Sequence, residues 1–117
     1  MHPYVPDRGH VVWLSFSPQS GHEQAGKRPA IVISPIEYNK KSGLAFFCPI
    51  TSQIKGYPFE VSIPDTQKIQ GVILADQVKS LDWRSREAKF VEKMPTGITE
   101  EVIDRITTLL ETEEIKQ

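Results

Sequence analysis

Hydrophobic and polar residues alternate along this chain in short runs that are typical of β-strands. Runs rich in β-branched, aromatic or aliphatic residues predict strands at 10–16, 30–34, 44–50, 59–63, 71–75 (continuing to 81) and 86–91. The run 30–34 is continuously apolar, which indicates burial on both faces, whereas Phe59, Val61 and Ile63 alternate with polar residues and face the core. Pro49 lacks a backbone N–H, so it predicts an edge position or a bulge in the third strand.

Helical periodicity is found in two places. Residues 36–39 predict a single helical turn, followed by a turn at 40–43. A longer helix is predicted to start at Thr99, which is suited to cap its first turn. The apolar residues that follow recur with helical spacing and predict one face packed on the sheet: Val102, Ile103, Ile106, Leu109 and Leu110. Residues 1–8 are expected to be irregular and 112–117 to fray. The whole predicts one domain, 1–117, mainly β with a C-terminal helix packed on a small antiparallel barrel.

Composition narrows the class of protein. The 117 residues carry a net charge of -1, but six acids lie in 100–117, so the first 99 residues hold 12 basic and 9 acidic side chains, a net +3. The single cysteine, Cys48, excludes an internal disulfide and fits a reducing compartment. The sequence has neither a membrane-length apolar run nor a signal peptide at its start, so we expect a cytoplasmic protein without membrane contact.

Few familiar chemical motifs are present. The three histidines are scattered, and the chain has no zinc spacing, P-loop, dinucleotide fingerprint or nucleophile elbow, so no metal or cofactor is expected. Gly21 and Gly26 bracket a polar loop, and Arg28 lies where this loop becomes a strand, so a rigid element can aim its guanidinium group.

Polar groups collect at the ends of the predicted core strands. Amides and hydroxyls suit the edges of unpaired bases, cations suit phosphates, and Tyr57 or Trp83 could stack on a base. This mixture is typical of single-stranded nucleic-acid recognition. The residues that form it are Glu23, Gln24, Lys27, Arg28, Thr51, Ser52, Gln53, Lys55, Asp76, Gln77, Lys79, Arg84 and Arg86.

Four blocks of sequence carry a family resemblance. They are EQAGKRPA at 23–30, PITSQ at 49–53, KGYPFEV at 55–61 and ADQVKSLDWRSR at 75–86. Together they resemble the MazF/PemK family of toxin endoribonucleases, over about residues 4–110. The resemblance is strongest to the MazF members. The segment 64–70 looks longer than its counterpart, which leaves its contacts open.

The resemblance implies an SH3-like barrel, a homodimer and metal-independent cleavage of single-stranded RNA. It also implies a MazE-like antitoxin whose disordered acidic tail occupies the RNA groove, with DNA contacted only indirectly through that antitoxin. The family's catalytic arginine and threonine correspond to Arg28 and Thr51, and a loop acid that matters for toxicity corresponds to Glu23. Members that resemble this chain most in blocks 55–61 and 75–86 cut near ACA triplets, so a short A-containing site is expected.

Cleavage without a metal uses the RNA 2′-hydroxyl as nucleophile, so the protein supplies proton transfer and charge stabilisation. Arg28 would stabilise the pentavalent transition state, Thr51 would hydrogen-bond a phosphate oxygen, and Glu23 would act as base or orient Arg28. His22, where relatives usually have a small residue, is either a spectator or shares acid–base work with Glu23.

Structural alternatives remain at this point. Thr51 could cap a turn, Glu23 could pair with Lys27 on the surface, and Trp83 could cover the barrel end. Two other functions are a non-catalytic single-stranded RNA-binding module and a gyrase poison of the CcdB type on the same fold. The second is disfavoured because the chain lacks the C-terminal tryptophan of such poisons.

Overall fold

Seven antiparallel strands form the body of the protein in the computed structural model, which describes residues 3–16 and 26–111. The strands are β1 (His10–Phe16), β2 (Gly26–Val32), β3 (Leu44–Thr51), β4 (Glu60–Ser62), β5 (Val72–Leu74), β6 (Lys79–Asp82) and β7 (Lys89–Lys93). Their order is β4-β5-β3-β2-β1-β7, and β6 pairs with the first half of β3. In the described residues the path ends at β4 and β7. The predicted class, a mainly β barrel-like fold with a C-terminal helix, is confirmed.

Strand boundaries agree with the sequence at β1 and differ elsewhere. The predicted strand 71–81 is wrong as one element, because a 3₁₀ turn at Ala75–Gln77 separates β5 from β6 and sends them to different parts of β3. Pro49 does not place β3 at an edge. On one side of β3, residues Leu44–Phe47 pair with β6 and Ile50–Thr51 pair with β5. Pro49 lies in the gap between these two pairings, where its missing backbone N–H is not needed.

Two helices complete the fold, α1 (Ile36–Ser42) and α2 (Thr96–Leu110). Helix α1 is longer than the predicted single turn and ends at Gly43, whose φ of 74° provides the left-handed C-cap. In the described part of the chain, neither helix is long and apolar enough to cross a membrane.

The predicted start of α2 is wrong. Pro95 precedes the helix and its carbonyl accepts N–H bonds from Ile98 and Thr99, so Thr99 lies within the first turn instead of capping it. The predicted apolar face is only partly buried. Val102 lies in the core, whereas Leu109 and Leu110 are 50% and 76% exposed, because a helical period predicts a face but not how far its partner surface extends.

Two hydrophobic clusters lie on the two faces of the central strands. Val11, Ile31 and Cys48 belong to the first cluster, and their neighbours Val12, Val32 and Phe47 belong to the second. Helix α2 covers the first cluster, while Trp83 and the N-terminal segment cover the second. The predicted burial of both faces of the second strand is therefore confirmed.

A buried asparagine ties three parts of the chain together. Asn39 in α1 accepts a 2.6 Å hydrogen bond from the Ser34 hydroxyl, and its amide donates to the carbonyls of Pro6 (2.8 Å) and Ser34 (3.0 Å). Its own backbone carbonyl accepts the Trp83 indole N–H at 2.9 Å. Because every polar group of this side chain is satisfied, the network fixes α1, the N-terminal segment and the turn after β6 in one arrangement.

Candidate active site

Arg28, Thr51 and several other predicted site residues line one groove of about 650 Å³. Its floor is formed by buried residues of the second hydrophobic cluster, Leu14, Ala30 and Phe47. Four cationic side chains stand on its walls: Arg28, Lys68, Lys79 and Arg86. Its described lining includes no aspartate or glutamate. A groove with this lining is suited to a polyanion.

Arg28 is placed by its register in β2, opposite Leu14 of β1. Strand side chains alternate between faces, so Arg28 shares its face with Ala30 and points to the groove, whereas Lys27 points to the other side. Lys27 accordingly lines neither the groove nor the pocket beside it.

Thr51 ends β3 at the edge of the groove. Its hydroxyl oxygen accepts a 3.1 Å hydrogen bond from the backbone N–H of Gln53, so the hydroxyl does cap the following turn. This bond uses an acceptor lone pair, and the O–H can still donate to a phosphate oxygen. The turn-capping and phosphate-binding interpretations of Thr51 are therefore compatible.

A smaller pocket of about 190 Å³ adjoins the groove through Thr51, Leu74 and Gln77. Tyr57 is 60% exposed on its rim, with the Lys55 ammonium nitrogen 5.9 Å from the ring centroid. An exposed ring beside a cation offers a stacking surface for a base and a charge for a nearby phosphate.

The fold brings most of the predicted residues together. Arg28, Thr51, Ser52, Gln77, Lys79 and Arg86 line the groove. The adjoining pocket adds Gln53, Lys55, Tyr57 and Asp76. The loop residues His22, Glu23 and Gln24 lie outside the described residues.

Trp83 does not present its ring to solvent, where the predicted stacking on a base would need it. Its side chain is 4% exposed, it packs in the second cluster, and its indole N–H is bonded to Asn39. The Arg84 guanidinium lies 4.8 Å from the ring centroid. Trp83 therefore covers the end of the core, which was the alternative interpretation, because stacking on a base would expose this part of the core to solvent.

Sequence reasoning missed Trp13 and Lys68 as lining residues. Trp13 pairs with Pro29, and strand alternation puts both on the face opposite Arg28, so the hairpin register alone would not have predicted Trp13 at the groove. Lys68 lies in a polar turn without a motif, and only the tertiary packing of that turn brings it to the groove.

The turn that leads to Arg86 is held by Asp82. Its carboxylate accepts backbone N–H bonds from Arg84 (3.0 Å) and Ser85 (2.9 Å). These hydrogen bonds, led by that from Ser85, hold the pKa of Asp82 below its ordinary value. The carbonyl of Arg86 then accepts the Ser15 N–H at 2.7 Å, which anchors the turn to β1.

Side chains that could ligate a metal are dispersed among the described residues. Within 3–16 and 26–111, no three His, Cys, Asp or Glu side chains are grouped as they would be to hold a metal ion.

The fold and groove define a small, mainly β protein with a cationic surface. A family model described as PemK-like, MazF-like toxin of type II toxin-antitoxin system matches residues 7–110. The chain therefore belongs to this family of toxins.

Individual relatives agree with the family assignment. The Escherichia coli K12 endoribonuclease toxin MazF is 54% identical over 85 residues, which cover 73% of this chain and 76% of that protein. The E. coli endoribonuclease PemK is 32% identical over 108 residues, covering 89% of this chain and 81% of that protein. A crystal structure of MazE-MazF from Deinococcus radiodurans superimposes with a TM-score of 0.89 at 53% identity, covering 92% of this chain and 97% of that one.

Proposed function

We propose that this chain is the toxin of a type II toxin–antitoxin system and cleaves single-stranded RNA at a short sequence motif. The observation that carries the proposal is the groove with four cationic side chains and no carboxylate in its described lining, with Thr51 at its edge. Such a groove attracts the phosphate backbone, while amides and the exposed Tyr57 ring beside it suit unpaired bases. The similarity to endoribonucleases MazF and PemK supports the same activity.

The proposed reaction is an internal transfer at phosphorus. The 2′-oxygen attacks the phosphorus atom, the bond to the 5′-oxygen breaks as that oxygen takes a proton from solvent, and the products are a 2′,3′-cyclic phosphate and a 5′-hydroxyl. Arg28 stabilises the charge of the pentavalent transition state, since a guanidinium is a strong electrostatic partner but a poor acid at neutral pH. Thr51 donates its O–H to a phosphate oxygen, and Glu23 or His22 takes the proton from the 2′-hydroxyl. This chemistry needs no metal ion.

The proposed partners follow from the same surface. The Deinococcus relative is named as a MazE-MazF structure, and a MazE-like antitoxin with an acidic tail would compete with RNA for the cationic groove. We propose in addition a homodimer in the cytoplasm, with DNA contacted only indirectly through the antitoxin.

The test uses single-stranded DNA oligonucleotides containing ACA, with one ribonucleotide placed at each position in turn and EDTA present. Cleavage only when the 2′-hydroxyl precedes one particular bond would establish both the nucleophile and the site. Arg28→Ala should lower kcat/KM by about a hundredfold or more. Lys41→Ala, which removes a cation from the exposed surface of α1 outside the groove, is the control and should retain activity.

Three outcomes contradict the proposal or a part of it. A wild-type protein that cuts neither these oligonucleotides nor a random RNA pool is not this enzyme, and RNA binding would then separate a non-catalytic module from a protein-directed toxin. Cleavage that survives in Arg28→Ala overturns the assigned role of that residue. Sequencing of fragment 5′ ends that shows no A-containing motif overturns the expected specificity.

A further inference from the structure

The loop between β4 and β5, residues 63–71, forms part of the wall of the groove. Lys68, Ile69 and Gln70 all line it, next to the site residues Thr51 and Ser52. The Ile69 side chain packs against the first hydrophobic cluster, which fastens the loop from below, whereas Lys68 is exposed. Lys68 is thus one of the four cations on a wall that faces the proposed RNA path.

A single carboxylate from a distant strand holds this loop. Glu92 of β7 accepts the backbone N–H of Lys68 on one oxygen and that of Ile69 on the other, each at 2.9 Å. Both bonds are charge-assisted, which makes them stronger than neutral backbone bonds. They fix the backbone at Lys68, which lines the groove.

Further bonds close the same loop on itself. The Gln70 amide donates to the carbonyl of Gln67 at 2.6 Å, and the Gln67 amide donates to that of Lys93 at 3.3 Å. The turn is therefore tied to the strand that carries Glu92 at a second point. A loop fastened in this way can present a side chain without ordering cost on binding.

The loop at the adjoining pocket is held in the same way. Glu60 of β4 accepts the backbone N–H groups of Lys55 (3.0 Å) and Gly56 (2.9 Å), one on each carboxylate oxygen. That loop carries Tyr57 and lines the adjoining pocket. The two loops beside Thr51 are thus each held by one glutamate through two consecutive N–H groups.

We propose that Lys68 contacts a phosphate of the bound RNA and that Glu92 is the positioning residue that places it there. The proposal rests on the function proposed above and adds one substrate contact and its support. Lys68 and Glu92 are assigned to substrate binding and have no role in the chemical step. Their loss should therefore raise KM and leave kcat nearly unchanged.

The experiment compares Glu92→Gln, Lys68→Gln and the double variant on the cleavable oligonucleotide. Glu92→Gln keeps the shape of the side chain but turns an NH2 group toward one of the two N–H donors. KM should rise roughly threefold to tenfold in each single variant, with kcat within about twofold of wild type. Glu37→Gln, on the exposed surface of α1, is the matched control and should leave both constants unchanged.

Two readouts distinguish positioning from general destabilisation. Lys68→Gln should reduce the slope of log Kd against log salt by about 0.7, as expected for the loss of one phosphate contact on a single strand. In the Lys68→Gln background, Glu92→Gln should add little to KM, because it acts through the residue already removed.

An unchanged salt slope and KM in Lys68→Gln would overturn the proposed contact. Additive effects in the double variant would overturn the positioning role of Glu92. If Glu92→Gln fails to fold, the KM and salt slope of Lys68→Gln decide whether Lys68 contacts RNA. Lys68 is exposed, so its substitution should not disturb folding. A wild-type protein that binds RNA without cutting it would overturn the proposed cleavage, while the salt slope would still test Lys68.

Discussion

Gly71 packs directly against the backbone of Thr51. A Cβ atom at position 71 would lie 2.8 Å from the Thr51 carbonyl carbon, closer still to its oxygen, and 3.1 Å from Cα of Ser52. Gly71 also has a φ of 119°, which other residues rarely adopt. The position of the proposed catalytic threonine thus depends on the absence of a side chain at Gly71, immediately before β5.

Gly71→Ala should therefore damage both stability and activity. The methyl group strains the backbone and pushes Thr51 away, so we expect a loss of about 2–4 kcal/mol in the free energy of unfolding. At a temperature where the variant is folded, kcat/KM should fall by about tenfold or more, since small displacements of catalytic groups are costly. Urea unfolding and oligonucleotide cleavage measure the two effects.

Gly97→Ala provides the control for that substitution. Gly97 lies in the first turn of α2, and a methyl group there would meet no packed neighbour within 4 Å among the described residues. Alanine at this position should therefore be neutral or mildly stabilising, because it favours the helix. Equal loss of activity in Gly97→Ala and Gly71→Ala would contradict the argument from close packing.

Trp83 and Tyr57 should separate stability from RNA binding. Trp83→Phe removes the indole N–H bond to Asn39 and should lower the free energy of unfolding by about 1–2 kcal/mol. Tyr57→Ala removes a largely exposed ring and should weaken RNA binding by about 1–3 kcal/mol while leaving stability nearly unchanged. Denaturation and fluorescence anisotropy with labelled RNA test the pair. A larger loss of RNA affinity in Trp83→Phe than in Tyr57→Ala would indicate that Trp83 contacts RNA.

His10 should make the protein less stable in mild acid. The Tyr4 hydroxyl lies 2.7 Å from His10 Nδ1, and the Asp7 N–H also donates to that nitrogen, so the ring is held in its neutral form. Burial is the main reason that the pKa of His10 is lowered; Lys93 lowers it further, while Asp7 opposes the shift.

The sign follows from linkage. Because the folded-state pKa is below the ordinary value of about 6.5, the unfolded chain binds the proton first. The stabilisation from neutral His10 is complete above the ordinary pKa of about 6.5. It is lost as the pH falls from there through the folded-state pKa. Urea unfolding at about pH 7.5 and pH 5 should show a smaller loss in His10→Gln than in wild type. An equal loss in the two proteins would exclude His10 as the cause.

Cys48 should be unreactive until the protein unfolds. Burial in the first cluster, with a smaller contribution from the Asp76 carboxylate, raises the pKa of its thiol to about 12. Since the thiolate is the reactive form, alkylation by iodoacetamide at neutral pH should be slow in the folded protein. Urea should expose Cys48 and allow alkylation to go to completion. Because Cys48 is the sole cysteine of the chain, the alkylation reports on this residue alone. Mass spectrometry that shows similar rates with and without urea would contradict this burial.

Local patterns in the sequence determined much of the fold. The β-branched and aromatic run at 10–16 corresponds to β1 at both ends, and the continuous apolar run after Pro29 correctly indicated burial on both faces. These features depend on the side-chain period of a strand, which is a property of adjacent residues. Four sequence blocks were enough to indicate the family, which the comparison over residues 7–110 confirms.

Only the tertiary structure decided which surfaces meet. Pro49 lies in a central strand because its neighbours change partner around it, and Trp83 is buried because Asn39, distant in sequence, accepts its N–H. Lys68 reaches the groove because Glu92 holds its loop from another strand. Such outcomes depend on contacts between residues far apart in the chain. Local periodicity therefore predicts that a face is buried or polar, but not which residue covers it.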